Sequence, residues 1–268
     1  MICFPNCKIN LGLSVIEKRQ DGFHNVETVM YPVKMNDILE IVISNDKKTT
    51  FKLSGFNVSG KRENNLVVRA YELLKKDFNL EPVKIHLHKS IPSGAGLGGG
   101  SADAAFTIKL LNDIFDLKLT VNQMQDYARR LGSDCPFFIE NKPVLTFEKG
   151  DKFENIIIDL SKYYFVIIKP DINISTPAAY SWVKPLAKKT SLAEIITQPV
   201  ESWKENLFND FEGPVFSRFP EIKKIKEDLY RLGAVYASMT GSGAAVYGIF
   251  SNRISIEENF KGCFVWQK

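Results

Sequence analysis

From residue 7 to residue 16 apolar side chains take every second position: Ile9, Leu11, Leu13 and Val15 share one side, Lys8, Asn10 and Gly12 the other. A period of two predicts a half-buried strand, with Lys8 and Asn10 as neighbours on its polar face. A second strand is expected over Asp37–Ser44, with loop at Asn45–Lys48. The period then changes. Behind Asn64 and Asn65, the side chains Leu66, Val67, Ala70, Leu73, Leu74 and Phe78 fall on one helical face. Val83, Ile85 and Leu87 alternate with Lys84, His86 and His88, a further strand that runs into Ser90-Ile-Pro-Ser-Gly-Ala-Gly-Leu-Gly-Gly-Gly-Ser-Ala-Asp-Ala-Ala105.

A helix follows, with Ala104, Ala105, Ile108 and Leu111 on its inner face. The next one opens at Thr120, where Thr120-x-x-Gln123 is a capping box, and stops at Gly132. Strand-like pieces recur at Val144–Glu148, Phe153–Asp159 and Tyr163–Ile168. The polar stretch Lys184–Glu205, with Pro185 and Pro199, reads as an insertion or as loosely packed helices. A helix over Glu221–Leu232, stopped by Gly233, leads to strand Ala234–Met239, the turn Thr240-Gly-Ser-Gly243 and strand Ala244–Phe250. Strands and helices mix without strict alternation, so the expected class is α+β, with a domain boundary near Ile157 separating residues 1–157 from 158–268.

Composition narrows the function. The 268 residues, 44% hydrophobic and 25% charged, suit one large or two modest folded domains that need no disulfide or metal staple. A net charge of +4 fits an anionic small-molecule ligand and is far from the basic stripe that nucleic-acid binding requires. The longest apolar runs, Tyr163–Ile168 and Gly243–Phe250, fall short of the ~18 residues of a membrane span. No secretory pattern is visible before Lys8. Cys3, Cys7, Cys135 and Cys263 form no CxxC pair and no zinc spacing. The expectation is a reduced, cytoplasmic protein without zinc.

Gly94, Gly96, Gly98, Gly99 and Gly100 lie between a strand and a helix. Backbone N–H groups free of Cβ atoms, joined to a helix N-terminus, make a cradle for phosphate. A flexible linker is the plainer reading, but the helix starting at Ser101 argues against it. Gly94-Ala-Gly-Leu-Gly-Gly99 satisfies GxGxxG, yet a second helix stands where a dinucleotide fold needs its next strand and acidic residue. The Gly-Lys-Ser/Thr of a Walker loop is absent, and so are the protein-kinase motifs.

Pro92 to Ala102 resembles instead the Pro-x-Gly-x-Gly-Leu-Gly loop of the GHMP superfamily, the galactokinase, homoserine, mevalonate and phosphomevalonate kinases. Met239-Thr-Gly-Ser-Gly-Ala-Ala245 is similar to that family's second glycine signature. Cys7-Lys-Ile-Asn-Leu-Gly12, Asp21-Gly-Phe-His24 and Gly132-Ser-Asp-Cys-Pro-Phe-Phe138 resemble the branch that phosphorylates a cytidine-diphosphate-linked sugar alcohol in isoprenoid precursor synthesis. Cys7 stands where that branch has Ala. The match covers nearly all of the first 157 residues and thins afterwards to Ser175-Thr-Pro-Ala-Ala-Tyr180 and the last glycine turn.

The resemblance implies a two-domain GHMP kinase fold, a ribosomal-protein-like N-terminal α/β domain followed by a C-terminal α+β domain. It implies ATP and Mg²⁺ as cofactors. Asp134 would take the acceptor's hydroxyl proton, and Lys8 would neutralise charge on the phosphoryl oxygens. ATP would lie on Asn65, Lys89, Pro92, Ser93, Gly94, Ala95, Gly96, Leu97, Gly98, Gly99, Gly100, Ser101 and Ala102. Phe23 and Tyr180 would stack on the two faces of cytosine and His24 would read its edge. Asn10 and Thr176 would lie by the polyol hydroxyls, with Gly241 and Ser242 also at the substrate. Taken singly, Asp134 reads as a helix N-cap and Lys8 as a solvated strand lysine, and Tyr180 fits core packing equally well. No carboxylate cluster marks a metal site, and His86 and His88 read as a solvated face. The chain is expected to be a monomer or a weak homodimer without nucleic-acid or membrane partners. Other readings are a different alcohol kinase of the superfamily, of mevalonate or homoserine type, or a non-catalytic nucleotide sensor.

Overall fold

The computed structural model describes residues 1–58, 60–186 and 190–268. The chain opens with β1 (Ile2–Cys3), β2 (Asn6–Lys18), β3 (His24–Asn36), β4 (Ile38–Ile43) and β5 (Thr50–Gly55). Then come α1 (Leu66–Phe78), β6 (Val83–Lys89), α2 (Gly99–Ile114), α3 (Val121–Arg129) and α4 (Phe137–Glu140). Next are β7 (Val144–Phe147), β8 (Lys152–Asn155), β9 (Tyr164–Lys169), α5 (Thr176–Trp182), α6 (Leu192–Ile196) and α7 (Trp203–Asn206). The last elements are α8 (Glu212–Arg218), α9 (Pro220–Arg231), β10 (Tyr236–Met239), β11 (Val246–Phe250) and β12 (Phe264–Gln267).

These elements form two units. The first comprises Met1–Lys8, Pro32–Ser93 and Gly98–Lys142. Its sheet has the order β1-β4-β6-β5. The β4–β6 pair is antiparallel and β5 joins β6 in parallel, Leu53 opposite Leu87. Leu39, Ile41, Ile85 and Leu87 are buried, while Ile38, Val42, Lys84 and His88 on alternate positions are exposed. That alternation makes the sheet one-sided. The covered side receives α1, through Val67, Ala70, Tyr71 and Leu74, and α2, through Ala104, Ala105, Ile108 and Leu111. Asn65 caps α1, its side chain accepting from the N–H of Val67 at 2.9 Å. The capping box at Thr120 is present as expected.

The second unit comprises Ile9–Tyr31, Gly94–Leu97 and Pro143–Lys268. One sheet runs β10-β11-β9-β12, antiparallel throughout, and the other has the order β2-β3-β7-β8. Val166, Ile168, Val246 and Met239 from the first of these sheets join Ile222, Ile225 and Leu229 of α9 in one apolar core. The chain passes between the units inside β2, at Lys8 to Ile9, and again within the glycine loop.

Two expectations are corrected. The strand at residues 7–16 has no solvated face: Lys8 is 3% exposed and Asn10 2%. Alternation reports two environments, and here the polar one is also covered. The stretch 184–205 is not loosely packed in its described part, since Leu192, Ile195, Ile196, Val200 and Trp203 are all buried; residues 187–189 lie outside the described residues. Trp203 stacks edge-on against Tyr236 and donates its indole N–H to Gln198 O at 3.1 Å. Truncating a side chain buried this completely costs about 3–5 kcal/mol.

Candidate active site

In the first unit β2 and the turn before α4 bring Lys8 and Asp134 together, Nζ to Oδ2 at 3.4 Å. The lysine side chain is 4% exposed and the aspartate 31%. Asp134 is not a cap, because Pro136 occupies the N-cap position of α4. The pair therefore sets a nearly dry cation beside a carboxylate that a substrate hydroxyl can reach. Their neighbours Cys7 and Cys135 are buried thiols whose burial pushes both up to about 12, so neither is a nucleophile at neutral pH.

The glycine loop straddles the two units, and each part has its own constraint. In the first unit Gly98 caps α2 with φ +71°, and an added Cβ would stand 3.1 Å from Lys8 Cγ and from Phe138 Cζ. The first intrahelical bond is Ala102 N–H to Gly98 O at 2.9 Å, so the N–H groups of the first turn are left for a ligand. In the second unit Gly96, φ +74°, lies against the C-terminal turn so closely that a Cβ would sit 2.2 Å from Thr240 O. Only glycine fits there. Ala95, Leu97 and Ala102 point inward, at 2% exposure or less, which leaves only their backbone for a nucleotide. In the first unit Gly98, Gly99 and Gly100, at the head of a 16-residue helix, fit a bound phosphate.

A cavity of about 220 Å³ in the first unit is lined by Asn65, Leu66, Lys89, Ser93, Gly100 and Asp103 among others. Lys89 does not aim its ammonium at solvent. Nζ pairs with Asp37, and with Asp103 Oδ2 at 2.7 Å. Burial works against that charge, and the Asp103 and Asp37 carboxylates together overcome it and raise its pKa. Neither aspartate is visible to sequence reasoning as part of the site.

In the second unit the hydroxyl of Thr240 lies within 3.3 Å of three groups, accepting from Asn10 N–H and donating to Asn10 Oδ1 or Gly96 O. Asn10 Nδ2 donates to Thr28 Oγ1 at 3.0 Å. Asn209 fastens the same turn, its Nδ2 donating to Met239 O at 2.8 Å and Gly241 O at 2.9 Å. Neither Thr240 nor Asn209 is among the site residues expected from the sequence. Thr240 sits inside a recognised glycine signature, whereas nothing local marks Asn209.

Thr176 and Ser242 are brought together, Oγ1 to Oγ at 3.3 Å, both at the surface. Phe23 is 59% exposed on a turn that Asp21 tightens by accepting the Phe23 N–H at 3.1 Å, and Lys149 Nζ stands 4.7 Å from its ring centre. His24 stacks on Tyr180, centroids 4.7 Å apart and planes at 22°, and Tyr180 meets Phe211 edge-on at 4.9 Å. One face of Tyr180 is thus taken by His24. Burial, helped by Lys18, lowers the His24 pKa. His86 and His88 share the hydroxyl of Ser54, at 2.8 and 3.0 Å. Among the described residues no group of three or more His, Cys, Asp or Glu could hold a metal. No described helix is long and apolar enough to cross a membrane.

Residues 65–142 match the GHMP kinases N terminal domain and residues 191–260 the GHMP kinases C terminal domain. The class is that of phosphotransferases that use ATP and act on an alcohol. The chain is 50% identical to 4-diphosphocytidyl-2-C-methyl-D-erythritol kinase of Parabacteroides distasonis, over 100% of this chain and 98% of that one. It is 52% identical to the protein of that name from Bacteroides fragilis, again over 100% and 98%. A crystal structure of 4-(cytidine 5'-diphospho)-2C-methyl-D-erythritol kinase superposes with a TM-score of 0.86 at 28% identity, covering 100% of this chain and 98% of that one. Methanococcus jannaschii mevalonate kinase, 15% identical, shares the fold with a TM-score of 0.74, covering 100% and 97%. The chain belongs to the GHMP kinases and, within them, to the 4-diphosphocytidyl-2-C-methyl-D-erythritol kinase family.

Proposed function

We propose that this kinase transfers the γ-phosphoryl group of ATP to the 2-hydroxyl of 4-diphosphocytidyl-2-C-methyl-D-erythritol, a step of isoprenoid precursor synthesis, in the cytoplasm. The Lys8–Asp134 pair at 3.4 Å carries the chemistry. The acceptor's identity rests on the full-length relatives of that name at half-identity.

Asp134 accepts the proton of the attacking hydroxyl. A loose, metaphosphate-like transition state asks for little deprotonation beforehand, so an ordinary carboxylate suffices. Lys8, already dry, stabilises charge on the transferring oxygens without reorganising. The N–H groups at the start of α2 hold the phosphates, and Asn65, Ser93 and the stem of Lys89 line the nucleoside cavity. Mg²⁺ bound to the nucleotide would supply charge neutralisation on its phosphates, an ion ordinarily held by the substrate phosphates with one or two carboxylates. On the acceptor side Phe23 stacks on cytosine, His24 reads its edge, and Asn10, Thr176 and Ser242 present polar groups to the polyol. We also retain residues 1–157 as the N-terminal GHMP kinase domain carrying the ATP phosphate loop and residues 158–268 as the C-terminal GHMP kinase domain, with the protein acting as a monomer or weak homodimer.

ADP release with MgATP, offered in turn 4-diphosphocytidyl-2-C-methyl-D-erythritol, mevalonate and homoserine, tests the proposal. Turnover with the first alone is expected. Turnover only with mevalonate or homoserine would overturn the roles of Phe23 and His24, and none with any acceptor would overturn the reaction.

A further inference from the structure

Beneath the phosphate loop, two carboxylates share one ammonium. Asp37 is 0% exposed, Asp103 2% and Lys89 4%, so the cluster is dry and carries one negative charge too many when both acids are ionised. The two acids are not equivalent. Asp37 Oδ1 accepts from the N–H groups of Ser90, at 2.6 Å, and Ile91, at 2.8 Å, while Oδ2 takes Lys89. Asp103 accepts from Lys89 through Oδ2 and faces the Asp37 carboxyl, and its buried Oδ1 has no hydrogen-bond partner among the described residues. Lys89 Nζ lies against the first residue of α2, 3.3 Å from where a Cβ on Gly99 would be.

We propose that Asp37, Lys89 and Asp103 form a proton-linked support for the nucleotide site, in which Asp37 positions the junction of β6 with the phosphate loop and Asp103 makes nucleotide affinity depend on pH. The idea rests on the reading of that loop as the ATP site. Asp37 ties strand end and loop start to one rigid point, three donors on one carboxylate. Asp103, with one donor and an orphaned oxygen, is where the surplus charge is relieved by a proton.

The surrounding titratable groups agree. Burial pushes the Asp103 carboxyl up to about 7, with Asp37 adding to the shift and Lys89 opposing it. On β1, the Cys3 thiol feels Lys109 of α2 and Asp103, and burial pushes it up to about 12, so it stays neutral. On β2, Cys7, also pushed up by burial, feels Asp37 and Lys8. Lys109 itself is lowered by burial, against Cys3 and Asp113. Asp103 is the member of this set that changes charge near neutral pH. When it ionises, the cluster becomes negative next to the residues that receive the phosphates. A unit charge about 10 Å from an anionic ligand weakens its binding on the order of tenfold to twentyfold at an effective dielectric of about 20, and salt screening brings this to the order of threefold to tenfold.

The test is calorimetric titration of the whole protein with MgATP, no acceptor present, at about pH 6 and about pH 8. For the native chain the Kd is expected to rise on the order of threefold to tenfold with pH. Asp103→Asn balances the charge and keeps an acceptor for Lys89, so its Kd stays near the pH 6 value throughout. Asp37→Asn also balances the charge but turns an amide toward three donors. It is expected to show no pH slope and weaker binding at both values, with Asp37→Ser, which keeps an acceptor for the loop N–H groups, lying between. A native slope retained in Asp103→Asn overturns the proposal, and so does native affinity in both Asp37 variants. Urea unfolding without ligand gives a second reading. Native stability should fall as pH rises from about 4 to about 7, because folded Asp103 keeps a proton that the unfolded chain has lost, and Asp103→Asn should remove that fall. Absence of MgATP binding by the native chain at either pH marks failure of the nucleotide reading and of the positioning role, while the unfolding slope still decides the proton.

Discussion

Around the Lys8–Asp134 pair and the phosphate loop, the first unit buries charged side chains: Lys8, Lys89, Asp37 and Asp103 are all 4% exposed or less. Around the C-terminal glycine turn the second unit buries a set just as dry, Asn10, Thr28, Thr240 and Asn209 at 3% or less, and none of these is charged. The difference follows from what each has to do. Phosphoryl transfer moves negative charge, and preorganised charge in a dry place is what stabilises it. The glycines of the turn have no side chains with which to hold its shape. Neutral hydrogen bonds from Asn209 and Thr240 hold the turn, while the charged Glu212, paired with Lys226, holds only the strand end before it through Met239 N–H. Removing a member of the reacting Lys8–Asp134 pair should therefore strike kcat, and removing one of the second set the acceptor KM.

The largest effect is expected at the reacting pair. Asp134→Asn and Lys8→Ala should each lower kcat by about 10³ or more, with MgATP binding kept within roughly threefold. Steady-state kinetics beside calorimetry would separate the two quantities. A lysine variant that lost nucleotide affinity and kept kcat would place Lys8 with the binding groups and break the comparison.

Asn209→Ala is expected next in size. It leaves Met239 O and Gly241 O without their buried donor, at a cost of about 2–4 kcal/mol. The acceptor KM should rise about tenfold to a hundredfold while kcat falls less. Asn209→Asp, which keeps the bond to Phe211 N–H but offers no donor, should behave in the same way. A loss confined to kcat would mean that the turn serves the reacting phosphate instead.

What the sequence made legible is what is local. The start of α2, the capping box at Thr120 and the two glycine signatures are short-range patterns, and each is where it was expected. β3 was missed because Pro32 interrupts it and because Glu27 and Thr28 are buried among its apolar residues, which erases the period of two. Lys8 was recognisable by its motif but not as a buried group, since alternation cannot say whether a polar face is later covered. Asn209 and the Asp37–Lys89–Asp103 cluster depend on partners far off in the chain. Asn209 reaches the glycine turn from a bridge with Leu13, and Asp37 reaches the loop from the link between β3 and β4. No window of sequence contains both halves of either arrangement.

The smallest effects are expected at the aromatic group of the second unit, and they sharpen the idea that this part recognises without charge. Phe23 is mostly exposed, so Phe23→Ala should leave the melting temperature nearly unchanged while the acceptor KM rises about tenfold, the worth of one base stack. His24 is expected to show its role through an absence of titration. Its pKa is lowered, by burial and then by Lys18, so the imidazole is neutral at and above pH 7 and the acceptor KM should be flat from there upward. The sign for stability is fixed in the same way. A folded-state histidine with a lowered pKa binds fewer protons than the unfolded chain, so it costs stability as pH falls below about 6.5 and costs none above. NMR titration of the His24 ring would read this directly. An apparent pKa above about 6.5, with KM tracking it, would make His24 a charged reader of the diphosphate and end the contrast between the two units.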